Sequence, residues 1–421
     1  MNLDDLGYYK VGTEKFHNKI MAMFKAQQLR TDMEWVFNDN IFSAIDWTQE
    51  PTTSIDEFYA IRARQIREKY DYIVMFCSGG ADSTNMFHAF VNNGLHIDEV
   101  VGSAPLEGLR DWKNPDPSDT RVENTIEETF LTQIPWLNTI REKYPKIKVT
   151  LHDYFQDMLN YKADDWLLKC NDWLHPTMAG RYNLDRLTHL KRIAESGKRI
   201  AVVQGIDKPS IVRSKDHFYI MFRDNIYNNK YNSINHPNTD QIFFYHSPEL
   251  PLMIVKQAHL AARFLMRPEN RNVYDMMLIN DDRLKRPDTP TALPRVDSVT
   301  FNAGVYERGI VPAIYPAIKK WSYQAGKPDR MLLGRHDDWF YRHHSGTKIW
   351  EMMVSDLENL VGSLDKKFLD YDPVKGLLGF KSWRKYYKLG PVVNFQPVYD
   401  LDQDLLDAPT ILTSIGDLKN S

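Results

Sequence analysis

The chain has 421 residues, 43% of them hydrophobic and 26% charged, which is the composition of a globular protein with about two or three domains. Lys and Arg number 53 against 56 Asp and Glu, and the net charge of −3 gives no global argument for a nucleic-acid binder. Only two cysteines occur, which excludes a disulfide framework and agrees with a reducing compartment.

The amino terminus is acidic and lacks the basic and apolar segments of a secretory signal, and no apolar run approaches the length that crosses a bilayer. We therefore expect a cytoplasmic protein that does not associate with membranes. Helical spacing of apolar residues at 13–37, and again at 55–69, predicts a helical N-terminal region over residues 1–65.

The most informative segment is a strand-like run at 72–76 that leads into Ser-Gly-Gly-Ala-Asp-Ser at 78–83 and then into a helical pattern at 84–93. Paired glycines have no Cβ, so the backbone can adopt a positive φ and its N–H groups can converge on an anion. The first turn of the helix adds donors and the positive end of a dipole. The hydroxyls of Ser78 and Ser83 can donate further hydrogen bonds. The segment predicts a polyphosphate site.

Asp82 is the acidic residue of this loop, and a carboxylate beside phosphates repels them unless something compensates. A Mg²⁺ ion that bridges the carboxylate and a phosphate would compensate. A role as the N-cap of the following helix would explain the residue equally well. Both interpretations stay open from the sequence.

The hexapeptide resembles the SGGxDS signature of the PP-loop ATP pyrophosphatases, whose N-type members include asparagine synthetase, NAD synthetase and the synthase domain of GMP synthetase. The resemblance implies an adenine nucleotide α-hydrolase-like fold. It also implies cleavage of ATP between its α- and β-phosphates, with AMP transferred to a substrate oxygen and pyrophosphate released. The implied nucleotide-binding residues are Ser78, Gly79, Gly80, Ala81, Asp82 and Ser83. Asp82 is also the implied catalytic residue and magnesium ligand.

A different phosphate-binding motif, G-x-x-x-x-G-K-[ST], does not occur in the chain. The γ-phosphate chemistry of kinases and GTPases therefore has no support.

Strand patterns alternate with helical patterns after the hexapeptide, at 97–102, 120–144, 146–152, 184–196 and 199–204. This alternation predicts an α/β fold with a parallel twisted sheet and helices on both faces. We expect this domain to occupy residues 66–255. Ligands on such sheets bind beyond the carboxyl ends of the strands, where the hexapeptide and the segment after residue 204 both lie.

Gly205, Asp207 and Lys208 follow the strand at 199–204. In the resembled family this place helps to form the nucleotide and substrate site. We expect Gly205 to contact the nucleotide, Asp207 to hold Mg²⁺ and Lys208 to stabilise the departing pyrophosphate. A plain turn is the alternative, because Gly and Pro mark many turns.

Ser103 ends the second strand, where the family often holds adenine and ribose.

The pattern changes from about residue 217. Apolar runs at 217–222 and 241–246 predict a hairpin or an antiparallel extension, and residues 248–266 predict a helix. We expect residues 256–421 to form a mixed α+β extension that selects the substrate or binds a partner.

Two clusters in this extension carry chemistry. Residues 335–344 combine Arg, His and Asp, and substrate contact or a plain surface explains them better than a metal site, because Arg residues are interspersed and Cys is absent. Residues 381–388 alternate cations with aromatic rings, a composition that contacts nucleic acid. A half-exposed strand explains that alternation as well.

The cysteine count narrows the chemistry within the resembled family. Thiolating members commonly carry catalytic or cluster cysteines, and the separation of Cys77 from Cys170 weakens that branch. A cysteine near the carboxyl terminus, as in sulfonucleotide reductases, is absent, and two cysteines cannot form the four-cysteine zinc site of deazapurine nitrile synthases. Residue 2 is Asn, so the nucleophilic cysteine of a glutaminase domain is also missing.

We therefore predict an ATP- and Mg²⁺-dependent, AMP-forming ligase. It adenylates an unidentified carboxylate or amide substrate, and an amine then displaces AMP. One alternative is a tRNA base-modifying enzyme that performs thiolation or amination, for which residues 381–388 are the support. The other is a non-catalytic protein that binds a nucleotide or a partner. A homo-oligomer is compatible with the sequence.

Overall fold

The computed structural model describes residues 4, 7–104, 106–107, 127–154, 187–205, 210–224, 236–266, 359, 362–372, 377–380 and 383–395. The helices are α1 (Lys19–Gln28), α2 (Asp39–Phe42), α3 (Ile55–Lys69), α4 (Ala81–Val91), a π-helix (Glu127–Gln133), α5 (Ile134–Lys143), α6 (Thr188–Glu195) and α7 (Pro251–Leu265). The strands are β1 (Tyr8–Val11), β2 (Glu14–Phe16), β3 (Glu34–Val36), β4 (Tyr72–Phe76), β5 (Glu99–Ala104), β6 (Lys148–Asp153), β7 (Ile200–Gln204), β8 (Ser210–Ser214), β9 (His217–Arg223), β10 (Thr239–Phe243), β11 (Leu369–Asp372), β12 (Leu377–Phe380) and β13 (Arg384–Pro391). Short 3₁₀ turns lie at Lys366–Phe368 and Val392–Phe395.

The largest sheet that the structure describes has five parallel strands in the order β10-β7-β4-β5-β6, and we call it the central sheet. Strand β4 is the middle strand and pairs with β5 on one side and with β7 on the other. The chain therefore moves outward from β4 through β5 and β6, and then reverses to add β7 and β10. Such a reversal opens a crevice beyond the carboxyl ends of β4 and β7.

Helices cover both faces of this sheet. On one face, Ile73 and Met75 of β4 belong to the main hydrophobic cluster, together with Phe87 of α4. On the other face, Val74 packs with Leu190 of α6. Burial on both sides explains why β4 reads as an uninterrupted apolar run. The predicted α/β character, with a parallel sheet between helices, is confirmed.

The N-terminal region differs from the helical region that the sequence predicts. Strands β1, β2 and β3 form a small antiparallel sheet, and α1 lies between β2 and β3. The prediction of helix over 13–37 is therefore wrong outside α1. The sheet is held in the core by aromatic side chains, because Trp35 stacks on Phe37 and Phe37 packs against Phe222 of β9.

The run at 241–246 also differs from its prediction. Its first residues belong to β10, which pairs in parallel with β7 and forms the fifth strand of the central sheet. The run at 217–222 lies in β9, which forms an antiparallel sheet with β8 and β13. One of the two runs is therefore in an antiparallel extension as expected, but the hairpin between them is wrong.

A buried ion pair joins the N-terminal region to the antiparallel sheet. Lys19 lies 2.8 Å from Asp224, and both side chains are buried. Asp224 also accepts hydrogen bonds from the Tyr9 hydroxyl at 2.8 Å and from the Trp383 backbone N–H at 3.0 Å. The ion pair and these two hydrogen bonds offset the cost of removing the Asp224 carboxylate from water.

Candidate functional site

The hexapeptide lies at the carboxyl edge of the sheet, as the sequence predicts. Residues 77–80 connect β4 to α4, and Gly80 is the N-cap of α4. Helix α4 thus begins at Ala81 with its amino end at the crevice between β4 and β7. The N-cap alternative for Asp82 is wrong, because Asp82 lies inside the first turn of α4.

Gly79 takes a conformation that few other residues accept. Its φ is +78°, and a Cβ atom there would lie 3.0 Å from the carbonyl oxygen of Thr132 in the π-helix. The loop backbone therefore packs directly against the π-helix, with no space for a side chain. A positive φ and this close approach together require glycine.

Hydrogen bonds within the loop hold its shape. The Gly80 N–H donates to Ser78 Oγ at 3.2 Å, and the Ser83 hydroxyl donates to the Gly80 carbonyl oxygen at 3.1 Å. Ser78 accepts in this bond, so its own O–H can still donate to a ligand. The Ser83 O–H is already used within the loop, which differs from the expectation that both hydroxyls donate to phosphate.

Gly205 brings the end of β7 against the first turn of α4. A Cβ atom on Gly205 would lie 3.1 Å from the carbonyl carbon and oxygen of Asp82 and 3.1 Å from the backbone nitrogen of Ser83. The sequence predicts Gly205 in the site, and the structure places it there. Asp207 and Lys208, the other predicted residues of that segment, lie outside the described residues.

A cavity of about 200 Å³ opens at this edge, lined by Phe76, Cys77, Ser78, Gly80, Asp82, Ser83, Val101, Ser103, Gln133, Gln204 and Gly205. Six of the residues that the sequence proposes for nucleotide binding belong to this lining: Ser78, Gly80, Asp82, Ser83, Ser103 and Gly205. Gly79 and Ala81 shape the loop without lining the cavity. Strands β4, β5 and β7 thus contribute their carboxyl ends to one cavity.

Asp82 supplies the acidic side chain of the cavity lining. Among the residues that the structure describes, no group of three or more His, Cys, Asp or Glu side chains is placed to hold a metal ion. Mg²⁺ at a nucleotide site needs only one or two carboxylates, because the phosphates and water supply its other ligands. Asp82 is the residue of the described lining with a carboxylate that could serve as such a ligand.

Tyr245 holds the first turn of α4 in place through hydrogen bonds, and the sequence does not predict this role. Its hydroxyl donates to the Asp82 carbonyl oxygen at 2.7 Å and accepts from Asn85 Nδ2 at 3.0 Å. Tyr59 packs edge-on against Tyr245. Burial, followed by the nearby Tyr245 and Asp82, raises the pKa of Tyr59 well above its usual value, so Tyr59 stays neutral.

Gln133 is a second residue that sequence reasoning missed. It ends the π-helix, is 5% exposed and lines the cavity. Its Nε2 donates to the Cys77 carbonyl oxygen at 3.2 Å. Among the described residues, its Oε1 has no hydrogen-bond partner and is buried, as is the Ser103 hydroxyl oxygen.

Cys77 has the properties of a structural thiol. It is buried, and its sulfur accepts a hydrogen bond from Trp136 Nε1 at 3.1 Å. Burial raises the pKa of the Cys77 thiol, although hydrogen bonds from neighbouring groups oppose the shift. A neutral buried thiol is a poor nucleophile.

In the aromatic and basic segment, the described residues 383–388 are mostly buried or half-buried against the protein. Trp383 is 1% exposed and donates from Nε1 to the Met33 carbonyl oxygen. Tyr387 stacks on Trp47, and Lys385 lies 2.8 Å from Asp39. The half-exposed strand interpretation is therefore confirmed for β13. The cluster at 335–344 lies outside the described residues.

Within the described ranges, no helix is long and apolar enough to cross a bilayer. Comparison of the chain with protein families finds no match. Comparisons with curated proteins and with solved structures likewise find none.

Proposed function

We propose that the protein is an ATP-dependent, AMP-forming ligase of the PP-loop ATP pyrophosphatase type. The observation that carries this proposal is the shape of the loop at 78–83. Glycine is required at Gly79, where the loop packs against the π-helix, and Gly205 lets the end of β7 approach the amino end of α4 at the crevice of the sheet. Helix amino ends and converging backbone N–H groups bind phosphate.

The strand order supports the finer assignment to an adenine nucleotide α-hydrolase-like fold. In chain order the central strands are arranged 3-2-1-4-5, and the hexapeptide follows the first of them. Typical ligand pockets enclose about 300–1,000 Å³. The cavity of about 200 Å³ would therefore receive part of a nucleotide.

The chemistry is an exchange of phosphoryl bonds followed by aminolysis. A carboxylate or amide oxygen of the substrate forms a bond to the α-phosphorus of ATP, and the bond to the bridging α–β oxygen breaks, so pyrophosphate leaves. An amine then attacks the adenylated carbon, AMP leaves and the amine loses a proton. The protein supplies no nucleophile in this scheme. It contributes by positioning the reactants and stabilising charge.

Asp82 has a defined place in this scheme. Its carboxylate would hold Mg²⁺ against the phosphates, and bound Mg²⁺ would neutralise charge that develops on the departing pyrophosphate. The Ser78 O–H and the first turn of α4 would donate hydrogen bonds to phosphate oxygens.

The tRNA-modifying alternative is less well supported than the ligase, because Trp383 is buried and one face of the half-buried Tyr387 ring already stacks on Trp47. The non-catalytic alternative remains distinct from the ligase in one measurable respect. A binder takes up ATP without releasing pyrophosphate.

The test is pyrophosphate release from ATP and Mg²⁺ in the presence of a pool of small carboxylates and amines. We expect the wild-type protein to release pyrophosphate, and Asp82→Ala to lower the rate by at least about 100-fold, because a charge-stabilising group is lost. The control is Glu195→Ala, which removes an exposed carboxylate on α6. Thermal melting should show both variants folded. Unchanged release by Asp82→Ala would reject its role, and ATP binding without release by the wild type would favour the binder.

A further inference from the structure

A series of hydrogen bonds runs through the core and ends at the peptide group between Asp82 and Ser83. The Tyr245 hydroxyl lies 2.7 Å from the Asp82 carbonyl oxygen and 3.0 Å from Asn85 Nδ2. Tyr245 and Asn85 are both buried. Because water does not surround these groups, their hydrogen bonds are electrostatically stronger than exposed ones.

The chemistry of the groups fixes the direction of this series. A carbonyl oxygen can only accept, so the Tyr245 hydroxyl donates its one hydrogen to Asp82. The hydroxyl then has only its acceptor capacity left, and Asn85 donates to it from Nδ2. Both hydrogen bonds therefore point the same way, from Asn85 through Tyr245 to the Asp82 carbonyl. Hydrogen bonds in such a series polarise one another.

The polarised carbonyl belongs to the same peptide group as the backbone N–H of Ser83. Resonance couples the two ends of a peptide group, so a donor on the oxygen makes the N–H a stronger donor. Ser83 lies in the first turn of α4, where backbone N–H groups have no partner within the helix. Among the residues that the structure describes, no backbone carbonyl accepts from this N–H. The strengthened donor is therefore available to a ligand.

Gly205 covers the face of this peptide group and not its N–H. A Cβ atom on Gly205 would lie 3.1 Å from the carbonyl carbon and oxygen of Asp82 and from the nitrogen of Ser83. Equal distances of this size to three bonded atoms place that point above the peptide plane. The N–H bond lies in the plane, so Gly205 does not stand in its way. Ser83 also belongs to the cavity lining.

We propose that Tyr245 strengthens the Ser83 N–H as a hydrogen-bond donor to a phosphate oxygen, and so raises the affinity of the loop at 78–83 for polyphosphates. The inference rests on the proposed function, because it assumes that this loop binds the phosphates. Tyr245 is not among the described residues that line the cavity. It is a positioning residue that acts through the peptide group between Asp82 and Ser83. A charged acceptor gains most from such a donor.

The first test observes the Ser83 amide group by NMR. Asp followed by Ser occurs at 82–83 and at 297–298. Protein with ¹³C in the Asp carbonyls and ¹⁵N in Ser therefore gives one signal for each pair, and Ser298→Ala identifies the second. We expect Mg²⁺ and pyrophosphate to move the Ser83 amide proton downfield. Tyr245→Phe should move the Ser83 ¹⁵N signal upfield without ligand and reduce the downfield movement of the proton.

The second test measures the affinity of the full chain for pyrophosphate with Mg²⁺ by calorimetry. Tyr245→Phe should weaken binding about threefold, because polarisation strengthens a hydrogen bond to a charged group by about 10–30%. Replacement of Tyr245 by 3-fluorotyrosine keeps the ring and makes the hydroxyl a stronger donor. This protein should bind more tightly than the wild type. A hydroxyl with a purely structural role would not produce tighter binding.

Tyr70→Phe is the matched control. The Tyr70 hydroxyl donates to Asp240 at 2.7 Å, the same distance as the hydrogen bond from Tyr245 to Asp82. Tyr70 lies before the amino end of β4, however, whereas the loop follows its carboxyl end. Tyr70→Phe should keep the pyrophosphate affinity and the Ser83 signal of the wild type. If Tyr245→Phe does not fold, as judged by thermal melting, the fluorotyrosine protein still decides the proposal.

The outcomes separate this inference from the proposed function. A wild type that binds pyrophosphate and ATP while the Ser83 amide signal stays in place would overturn the inference and leave the proposed function standing. Wild-type affinity in folded Tyr245→Phe, or weaker binding by the fluorotyrosine protein, would also overturn the inference alone. A folded wild type that binds neither pyrophosphate nor ATP would overturn both proposals.

Discussion

At Gly79, the backbone conformation and the packing against Thr132 both require glycine. Gly94 has a similar φ of +70°, but a Cβ there would meet open space. Gly94→Ala should therefore cost only the conformational strain, about 1–2 kcal/mol of unfolding free energy. Gly79→Ala should cost more, because its Cβ would also press on the Thr132 carbonyl. Urea denaturation of both variants measures this difference, and equal losses would show that the packing against Thr132 does not matter.

The residues of the hexapeptide could be predicted from the sequence, because glycines and hydroxyls between a strand and a helix are a local pattern. The position of Gln133 in the cavity lining could not be predicted. It depends on a π-helix that brings the residue over β5, and helical spacing does not distinguish π from α geometry. Tyr245 lies in the apolar run at 241–246, where a tyrosine has the appearance of an ordinary core residue. Its contact with Asp82 joins residues 163 positions apart.

At the scale of elements, the site depends on how closely β7 approaches α4. Gly205→Ala would place a Cβ 3.1 Å from Asp82 and Ser83 backbone atoms, so the strand and the helix must separate by a few tenths of an ångström. We expect ATP affinity to fall by about tenfold, which corresponds to about 1.4 kcal/mol.

Gly362→Ala is the control for this variant, because a Cβ on Gly362 would meet nothing within 4 Å. It should bind ATP as the wild type does. Calorimetric titration compares the two variants. Wild-type affinity in Gly205→Ala would mean that the spacing between β7 and α4 does not shape the site.

Elements with a long or continuous apolar pattern can be predicted from the sequence, whereas the strand with which an element pairs cannot. Strands β4 and β7 were recognised as apolar runs. Strands β1, β2 and β3 have three or four residues each, too few for a periodicity to develop. The sequence predicts β10 as a strand but pairs it with the wrong partner. Its pairing with β7 forms across a gap of more than thirty residues and leaves no local sign.

At the scale of the molecule, one hydrophobic cluster runs from the N-terminal sheet through the central sheet to β13. His246 lies in this core, 6% exposed and edge-on to Phe222. Burial lowers the pKa of His246 to about 3. The unfolded chain binds a proton there below a pH of about 6.5, and the folded protein does not until far lower pH.

The contribution of His246 to the free energy of unfolding should therefore be constant above pH 6.5. The free energy of unfolding should fall as the pH drops below that value. The limiting slope for one such proton is about 1.4 kcal/mol per pH unit. His246→Gln should lack this pH dependence. The difference in unfolding free energy between the wild type and the variant should therefore narrow as the pH falls from 6.5 to 5. Urea denaturation at several pH values measures it, with the exposed His96→Gln as control. Parallel curves for the wild type and His246→Gln would contradict the account.

The central claim is that the loop at 78–83 binds the triphosphate of ATP, and calorimetric titration with ATP and Mg²⁺ tests it most directly. We expect one site per chain in the wild type and in Gly94→Ala, and no measurable binding in a folded Gly79→Ala. Absence of binding by folded wild-type protein, or unchanged binding by Gly79→Ala, would contradict the claim.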